Sequence, residues 1–411
     1  MISVADASRR ILDGIHLLPA VSVATTESVG CVLAAPIVAA TTSPPWDNSS
    51  MDGYAIRSAD LTGATLRVVE TIAAGGFPSR ALGIGEAMRI MTGAPVPPNA
   101  DTVIRKEDTD EGLNIVSIRD TRDAGKNIRK AGEDFHAGDV LFETGQTLGV
   151  PHVGVIAAAG VKAVAVYRSP RVALVTSGDE LVELDDYSPE MAGRKIISAN
   201  SITLAALVRE AGGEPVDLGI AQDDPASVRQ KLLSACECDL IITSAGISVG
   251  DHDHVRGAIV ELGGEIDFWK VRMRPGAPLA FGHLNGVPWI GLSGNPVSAM
   301  VTFEVFVRPA IRKMRGIAKL FRRTVAVALG EPITLAAPLM HFLRVVISQS
   351  DKNIHIARLA GSQSSAVMTA MARSNALLVV PGDRLRLDAG EQLVAIPLGD
   401  GLETATTLVL G

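Results

Sequence analysis

The sequence predicts an α/β protein built on a doubly wound domain, with β-rich modules on either side of it. Three observations carry this. From Pro170 to about Gly316, short apolar runs alternate with helix-like stretches, the βαβ rhythm of a parallel sheet. Two of those runs end in small-residue loops that open helices, at Asp239–Arg256 and Gly291–Ala299. Before and after this block, β-type alternation lies between glycine and proline punctuation with no long helical pattern.

At 411 residues the chain exceeds one ordinary core, and roughly two to four domains are expected. Aromatics are only 4% of residues, so the cores must be filled by Ala, Val, Ile and Leu. A net charge of −7 argues against a nucleic-acid binder, which needs a basic face, but leaves room for a local basic pocket. Cys31, Cys236 and Cys238 are too few for a disulfide framework, and Cys236-Glu237-Cys238 lacks the second pair of a zinc site. The first residues mix acids and bases without an apolar stretch, unlike a secretory signal. No run reaches the roughly 18 apolar residues of a membrane span. A reducing, cytoplasmic setting without membrane contact is expected.

In order along the chain, residues 3–18 read as an amphipathic helix capped by Ser3, with Ile11, Leu12, Ile15 and Leu18 on one side. Residues 19–136 carry short β-type runs at Ala64–Ile72, Ala100–Arg105 and Leu113–Ile118. Glycines and apolar runs follow over 137–168, at Gly149–Ala159 and Val161–Tyr167. In the central block, Val172–Thr176, Val216–Ile220 and Asp239–Ser244 are strands. Ser201–Glu210 is a helix stopped by Gly212-Gly213, and Asp224-Pro225 opens another. Strands near Asp267–Arg272, Leu279–Phe281 and Trp289–Leu292 precede a helix from Asn295 to about Met314, with Pro296 at its first position. After Gly316, Val325–Ala328, Arg344–Ser348, Ala376–Val380 and Gln392–Ile396 read as a C-terminal β module.

The chemistry follows from where these elements end. In a doubly wound sheet, ligands bind beyond the carboxyl ends of the strands. Gly246 and Gly250 would let the backbone approach a phosphate, and Ser244 and Ser248 could donate hydroxyls. The acids of Thr176-Ser177-Gly178-Asp179-Glu180, Asp223 and those within Ser244–Asp253 fall at the same edge, and such carboxylates suit a divalent metal such as Mg²⁺ as hard oxygen ligands. Asp224 has a capping task, which leaves Asp223 the freer of the two. His252 and His254 do not share a helix face and read as a solvated helix start. Lys270, Arg272 and Arg274, two apart on one strand, form a basic face suited to an oxyanion.

These residues carry a resemblance. Pro44-Pro45-Trp46-Asp47-Asn48-Ser49-Ser50-Met51-Asp52-Gly53-Tyr54-Ala55, Met91–Pro97, Gly132-Glu133-Asp134, Thr176–Leu181, Ser244–Asp253, Arg274-Pro275-Gly276 and Gly291–Ala299 occur in order. Together they resemble the molybdopterin molybdenumtransferase family, which includes the E-domain of gephyrin. The resemblance implies a dimer of four-domain chains. Here these would be an elongated piece (1–22 and 137–168), an inserted β-rich domain (23–136), a molybdopterin-binding α/β domain (169–316) and a C-terminal β-barrel (317–411). It implies that molybdate is inserted into adenylylated molybdopterin with Mg²⁺-dependent hydrolysis to AMP. Upstream and downstream it implies contact with a molybdopterin adenylyltransferase and molybdoenzyme-specific chaperones.

Carried over by residue, Asp52 and Asp134 would approach a partner's site, Glu180, Asp223 and Asp253 would position metal and phosphate, and Lys270 and Arg274 would hold molybdate or phosphate. The implied cofactor-binding set is Thr176, Gly178, Asn200, Ser244, Gly246, Ser248 and Gly250, then Pro275, Gly276, Ser293, Gly294, Asn295, Pro296 and Ser298. Arg344 and Ser362 match family positions loosely, with a plain β-surface role as the alternative. Four positions depart from the family pattern: Arg274 for lysine, Ala277 for a basic residue, Ala245 for glycine and Ser293 for proline. Ala245 matters most if its φ must be positive. Two other functions stand beside the insertase. A molybdopterin-binding paralogue without turnover (carrier, sensor or scaffold) is favoured by Ala245 and Ala277. An adenylyltransferase on the same pterin is disfavoured by the attached β modules.

Overall fold

The computed structural model describes residues 1–63, 65–246, 254–349 and 354–399. It divides into two compact units, Met1–Val21 with Tyr167–Gly411, and Ser22–Val166.

The first unit starts with helix α1 (Val4–Asp13), where Ser3 Oγ accepts the Asp6 N–H at 3.0 Å. Its central sheet contains β1 (Arg171–Ser177), β2 (Glu214–Ala221), β3 (Leu240–Ser244), β4 (Glu265–Lys270), β6 (Pro278–Leu284) and β7 (Val287–Leu292), with β5 (Met273–Arg274) diverted elsewhere. The strand order is β2-β1-β3-β7-β6-β4. The first four strands of that order run parallel. In the parallel strands β1, β3 and β7, side chains alternate between two cores. Val172, Leu174, Leu240, Ile242, Ile290 and Leu292 face one, with α1, α2 (Ala199–Ala211) and α5 (Pro296–Thr302). Ala173, Val175, Ile241 and Trp289 face the other, with α3 (Pro225–Ala235) and α4 (His254–Glu261). Each buried aliphatic side chain contributes about 1.5–3 kcal/mol, so a one-residue slip would exchange whole rows between unlike cores.

Two expectations are corrected here. The sheet is mixed: β6 runs antiparallel to β7, and β4 to β6. Asn285 (φ 51°) and Gly286 (φ 80°) form the tight turn that makes β6 and β7 a hairpin rather than a crossover. The basic strand is also broken. β4 ends at Lys270, buried Val271 bridges to Ile2, and β5 pairs with a strand of a different sheet. Lys270, Arg272 and Arg274 therefore do not line one strand face.

The helix after Asn295 has the expected length but not one form. A π-turn over Phe303–Val307 separates α5 from α6 (Arg308–Met314). It carries buried Glu304, which accepts from Arg308 Nε at 2.8 Å and from Arg322.

The C-terminal strands are β8 (Val325–Leu329), β9 (Met340–Gln349), β10 (His355–Leu359), β11 (Ala376–Val380) and β12 (Gln392–Pro397), with a short helix α7 (Met368–Arg373). Their order β9-β10-β8-β12-β11 closes through β9–β11 pairing into a barrel, and β5 docks on β9. Leu343, Val345 and Ile347 fill the barrel, while Phe342 of the same strand packs into the α/β core.

The Ser22–Val166 unit contains a five-stranded sheet in the order Thr102–Arg105, Gly53–Ile56, Glu86–Ile90, Thr65–Ile72, Ile115–Ser117. The apolar run at Gly149–Ala159 forms a helix over Val150–Ala158. No described helix is long and apolar enough to cross a membrane.

Candidate functional site

The chain leaves β1 to build β2 on one side and later β3 on the other, so the strand order reverses between β1 and β3. Crevices beyond the carboxyl ends of such strands are the usual ligand sites of open α/β sheets. A cavity of about 730 Å³ lies there. Thr176 and Ser177 line it from β1, Ser244, Ala245 and Gly246 from β3, and Ser293, Gly294, Asn295 and Pro296 from the loop into α5. Asn200, in the first turn of α2, donates from Nδ2 to Ser244 Oγ and to the Gly294 carbonyl, both at 2.8 Å. One side chain thus ties together the two loops that were read as phosphate cradles. Asn295 holds the cap position of α5 without a side-chain cap bond, contrary to a simple capping role, and lines the cavity instead.

Glu180 also lines this cavity, and among the described residues its carboxylate has no hydrogen-bond or ion-pair partner. It lies over Gly178 (φ 145°), where a Cβ would come 2.6 Å from Glu180 Oε2. Gly178 is needed for its backbone conformation, while the exposed Glu180 carboxylate above it could swing aside. Asp223 belongs to a neighbouring polar cavity of about 590 Å³. There Asp179 N–H donates to Asp223 Oδ2 at 3.2 Å, and Asp223 N–H to Asp179 Oδ1 at 2.9 Å. Asp224 caps α3, accepting from Ala226 and Ser227 N–H at 2.9 Å. Ser248, Gly250 and Asp253 lie outside the described residues. Among the described residues no group of three or more His, Cys, Asp and Glu is gathered for a metal.

A further cavity of about 640 Å³ shares Pro278, Ser293 and Asn295 with the first. Arg274, Pro275, Gly276, Ser298 and Arg344 line it, and Lys270 is in neither wall. Arg344 is 1% exposed, yet among the described residues it has no carboxylate partner. Its Nη2 donates to the carbonyls of Ser364 at 3.2 Å and Ser362 at 3.4 Å, its Nη1 to the Phe342 carbonyl at 3.4 Å, and its Nε to nothing. Burial alone pulls its pKa down to about 10, which leaves it charged at neutral pH. Ser362 takes part through its carbonyl rather than its hydroxyl. The sequence reading missed Ile196, Ile197, Ala366 and Met368 as wall residues, and placed Ser177 in the loop without giving it a role. Ser177 adjoins a singled-out residue and was within reach. Met368 enters only through barrel packing and carries no local signal.

Ala245 sits at φ 77°, so the concern over its Cβ is met by the backbone it adopts. A Cβ on Gly294 would lie 3.1 Å from Ala245 Cβ, so the methyl packs directly on the opposite loop. In the other unit, Asp52 Oδ1 accepts from Thr92 N–H and Oγ1, both at 2.8 Å. Those bonds hold its carboxyl below the usual range. Asp134 is exposed, with its backbone N–H donating to the Ser43 carbonyl at 3.0 Å.

Comparison with known proteins gives a consistent result over nearly the whole chain. Residues 2–160 match the MoeA N-terminal region (domain I and II), 173–313 a probable molybdopterin binding domain, and 326–398 the MoeA C-terminal region (domain IV). Molybdopterin molybdenumtransferase 2 of Mycobacterium tuberculosis is 36% identical, with 96% of this chain and 98% of that protein covered. The molybdopterin molybdenumtransferase of Nostoc sp. is 35% identical, covering 90% and 86%. A crystal structure of the molybdopterin biosynthesis MoeA protein from Pyrococcus horikosii superposes with a TM-score of 0.81 at 26% identity, over 97% and 99% of the two chains. The chain belongs to the molybdopterin molybdenumtransferase family, a family of molybdenum-cofactor biosynthesis.

Proposed function

We propose that this chain inserts molybdate into adenylylated molybdopterin and releases AMP, with the two adjoining cavities taking the two substrates. The observation that carries the reading is their shared wall of Pro278, Ser293 and Asn295. On one side lies a backbone-lined crevice at the strand reversal, suited to phosphates. On the other is a pocket with Arg274 and a buried, acid-free Arg344, suited to a dianionic oxyanion. A pterin nucleotide in the first cavity brings its far end to the mouth of the second.

The residues fit Mg²⁺ held by substrate rather than by a protein cage. Mg²⁺ commonly takes one or two carboxylates plus phosphate oxygens and water. Glu180 offers one unpartnered carboxylate in the main cavity, whereas Asp223 is already engaged with Asp179 N–H. Bound there, Mg²⁺ would neutralise phosphate charge. Asn200 holds the two loops, and Arg274 and Arg344 hold the oxyanion. The reading carries with it a cytoplasmic homodimer that receives its nucleotide from a molybdopterin adenylyltransferase and hands its product to molybdoenzyme-specific chaperones.

The test is incubation with adenylylated molybdopterin, molybdate and Mg²⁺, following AMP. Molybdate-dependent AMP release is the expected result. Tight nucleotide binding without release would favour the non-catalytic carrier, a reading supported by the strained Ala245.

A further inference from the structure

We infer that Gln363, which lines the Arg344 cavity but spends its carboxamide on the protein main chain, is a positioning residue for Arg344 and sets oxyanion affinity through it; this rests on the reading of the Arg344 cavity above. The register of β9 with β10 ends at Val345–Leu359, so at Arg344 the regular ladder runs out. The next bond, Ala360 N–H to the Arg344 carbonyl at 3.0 Å, is the last that the departing chain supplies. Gln363 then stands in for the missing strand. Its Oε1 accepts the Arg344 N–H at 2.9 Å, and its Nε2 donates to the Arg344 carbonyl at 3.0 Å. The same Nε2 donates to the Gly361 carbonyl at 3.0 Å. Both N–H donors of the carboxamide are therefore spent within the protein.

This arrangement fixes two things at once. It clamps the main chain of Arg344, and it folds the 361–365 loop so that the Ser362 and Ser364 carbonyls meet the guanidinium. An arginine paired with a carboxylate would be aimed by that acid. Arg344 has none, and its Nε is left without an acceptor, so its direction depends on carbonyls that the Gln363 clamp holds in place. The clamp is neutral and acts on the main chain, so it adds no counter-charge of its own.

The experiment measures molybdate binding to the full chain by calorimetry, together with thermal melting and pterin-nucleotide affinity. It compares wild type, Gln363→Leu, Gln363→Glu, Arg344→Lys and the Arg344→Lys/Gln363→Leu double variant. Gln363→Leu should weaken molybdate by about tenfold and leave nucleotide affinity within about twofold, the scale of one displaced charge-assisted contact. Gln363→Glu keeps the length and the acceptor for the Arg344 N–H but loses both donors, setting a carboxylate oxygen against the Arg344 and Gly361 carbonyls, and should weaken molybdate at least as much. In the Arg344→Lys background, Gln363→Leu should cost less than about twofold, because residues that act through one another are not additive. A merely structural glutamine would lower the melting temperature and leave molybdate affinity alone. That result, or full additivity of the two substitutions, overturns the role of Gln363 while leaving the cavity reading intact. Wild type that does not bind molybdate, or Arg344→Lys that binds it as wild type does, overturns the cavity reading and the Gln363 role with it.

Discussion

The two adjoining cavities are built on opposite principles. The larger one is made from backbone and small residues at strand ends: Ser244, Gly246, Gly294 and Pro296 contribute little more than N–H groups, carbonyls and hydroxyls. The smaller one is organised by one large cation, Arg344, buried to 1% exposure and partnered only by carbonyls. The first can meet a phosphate with N–H groups and hydroxyls, its one wall charge among the described residues being the Glu180 carboxylate, which suits a bridging cation. The second keeps a charge out of water, at a cost in stability that the fold bears elsewhere. A site that retains an unpaired buried cation is organised for an anion that arrives later.

The sharpest way to break this contrast is Arg344→Met. Loss of a charge-assisted contact of about 1.5–3 kcal/mol should weaken molybdate by about ten- to hundredfold, with nucleotide affinity unchanged. Stability should hold or rise, because a buried cation without a counter-charge is replaced by a packed apolar chain. Calorimetry and thermal melting on the same samples check both halves. A large drop in melting temperature with no change in molybdate affinity would make Arg344 a structural residue.

Alkaline titration separates the cavities without any substitution. With its pKa lowered to about 10, Arg344 loses its charge as the pH rises through that value. Molybdate affinity should fall by up to tenfold per pH unit beyond it, and a bound anion should shift the midpoint upward. The linkage to folding has the opposite sign. Between about 10 and the ordinary arginine value near 12.5, the unfolded chain binds more protons than the folded one, so the Arg344 contribution to stability rises with pH. Molybdate binding that is flat from pH 8 to 11 would place the oxyanion elsewhere.

The larger cavity is probed by Glu180→Gln, which keeps the shape over Gly178 and removes the only unpartnered carboxylate described there. The Mg²⁺ concentration for half-maximal AMP release should rise about tenfold, with molybdate dependence unmoved, as for loss of one oxygen ligand among several. An unchanged Mg²⁺ requirement would assign the metal to other residues.

The same contrast explains what could be read from the sequence. A backbone-built cavity announces itself locally, because strand, small-residue loop and helix start are contiguous: Thr176–Glu180 and Gly291–Ala299 were legible for that reason. Arg344 was reached only through a loose family match, with a β-surface role as the alternative, because barrel closure and the 361–365 loop that bury it leave no local signal. The basic strand failed for a related cause. Val271 is pulled into the core and bridged to Ile2, which ends one sheet and hands Arg274 to another. The Asn285-Gly286 turn was a local signal left unused, and it decides that β6 and β7 are a hairpin. Asp223 was rightly separated from its capping neighbour, yet its carboxylate turns to Asp179 in a cavity of its own.

The smallest expected effect, and the finest test of a backbone-built cavity, is Ala245→Gly. Ala245 holds φ 77°, a left-handed conformation that costs an ordinary residue about 1–2 kcal/mol. Glycine removes that strain but gives the unfolded chain more freedom, worth about 0.4–1 kcal/mol in the other direction. The net change in stability should therefore lie between about 0 and 1.6 kcal/mol in favour of the variant. The effect on binding is more telling. The Ala245 methyl packs on Gly294, the opposite loop of the cradle, where even one more Cβ would come to 3.1 Å. Removing it widens the gap between the two loops that Asn200 ties together. If the cavity works by close backbone approach, pterin-nucleotide affinity should improve by about two- to fivefold, on the scale of one better-aligned hydrogen bond. Molybdate affinity should not move if, as proposed, Arg344 across the shared wall sets it. A variant that melts higher but binds the nucleotide more weakly would mean that the methyl is a ligand contact, and that this cradle recognises its ligand by shape.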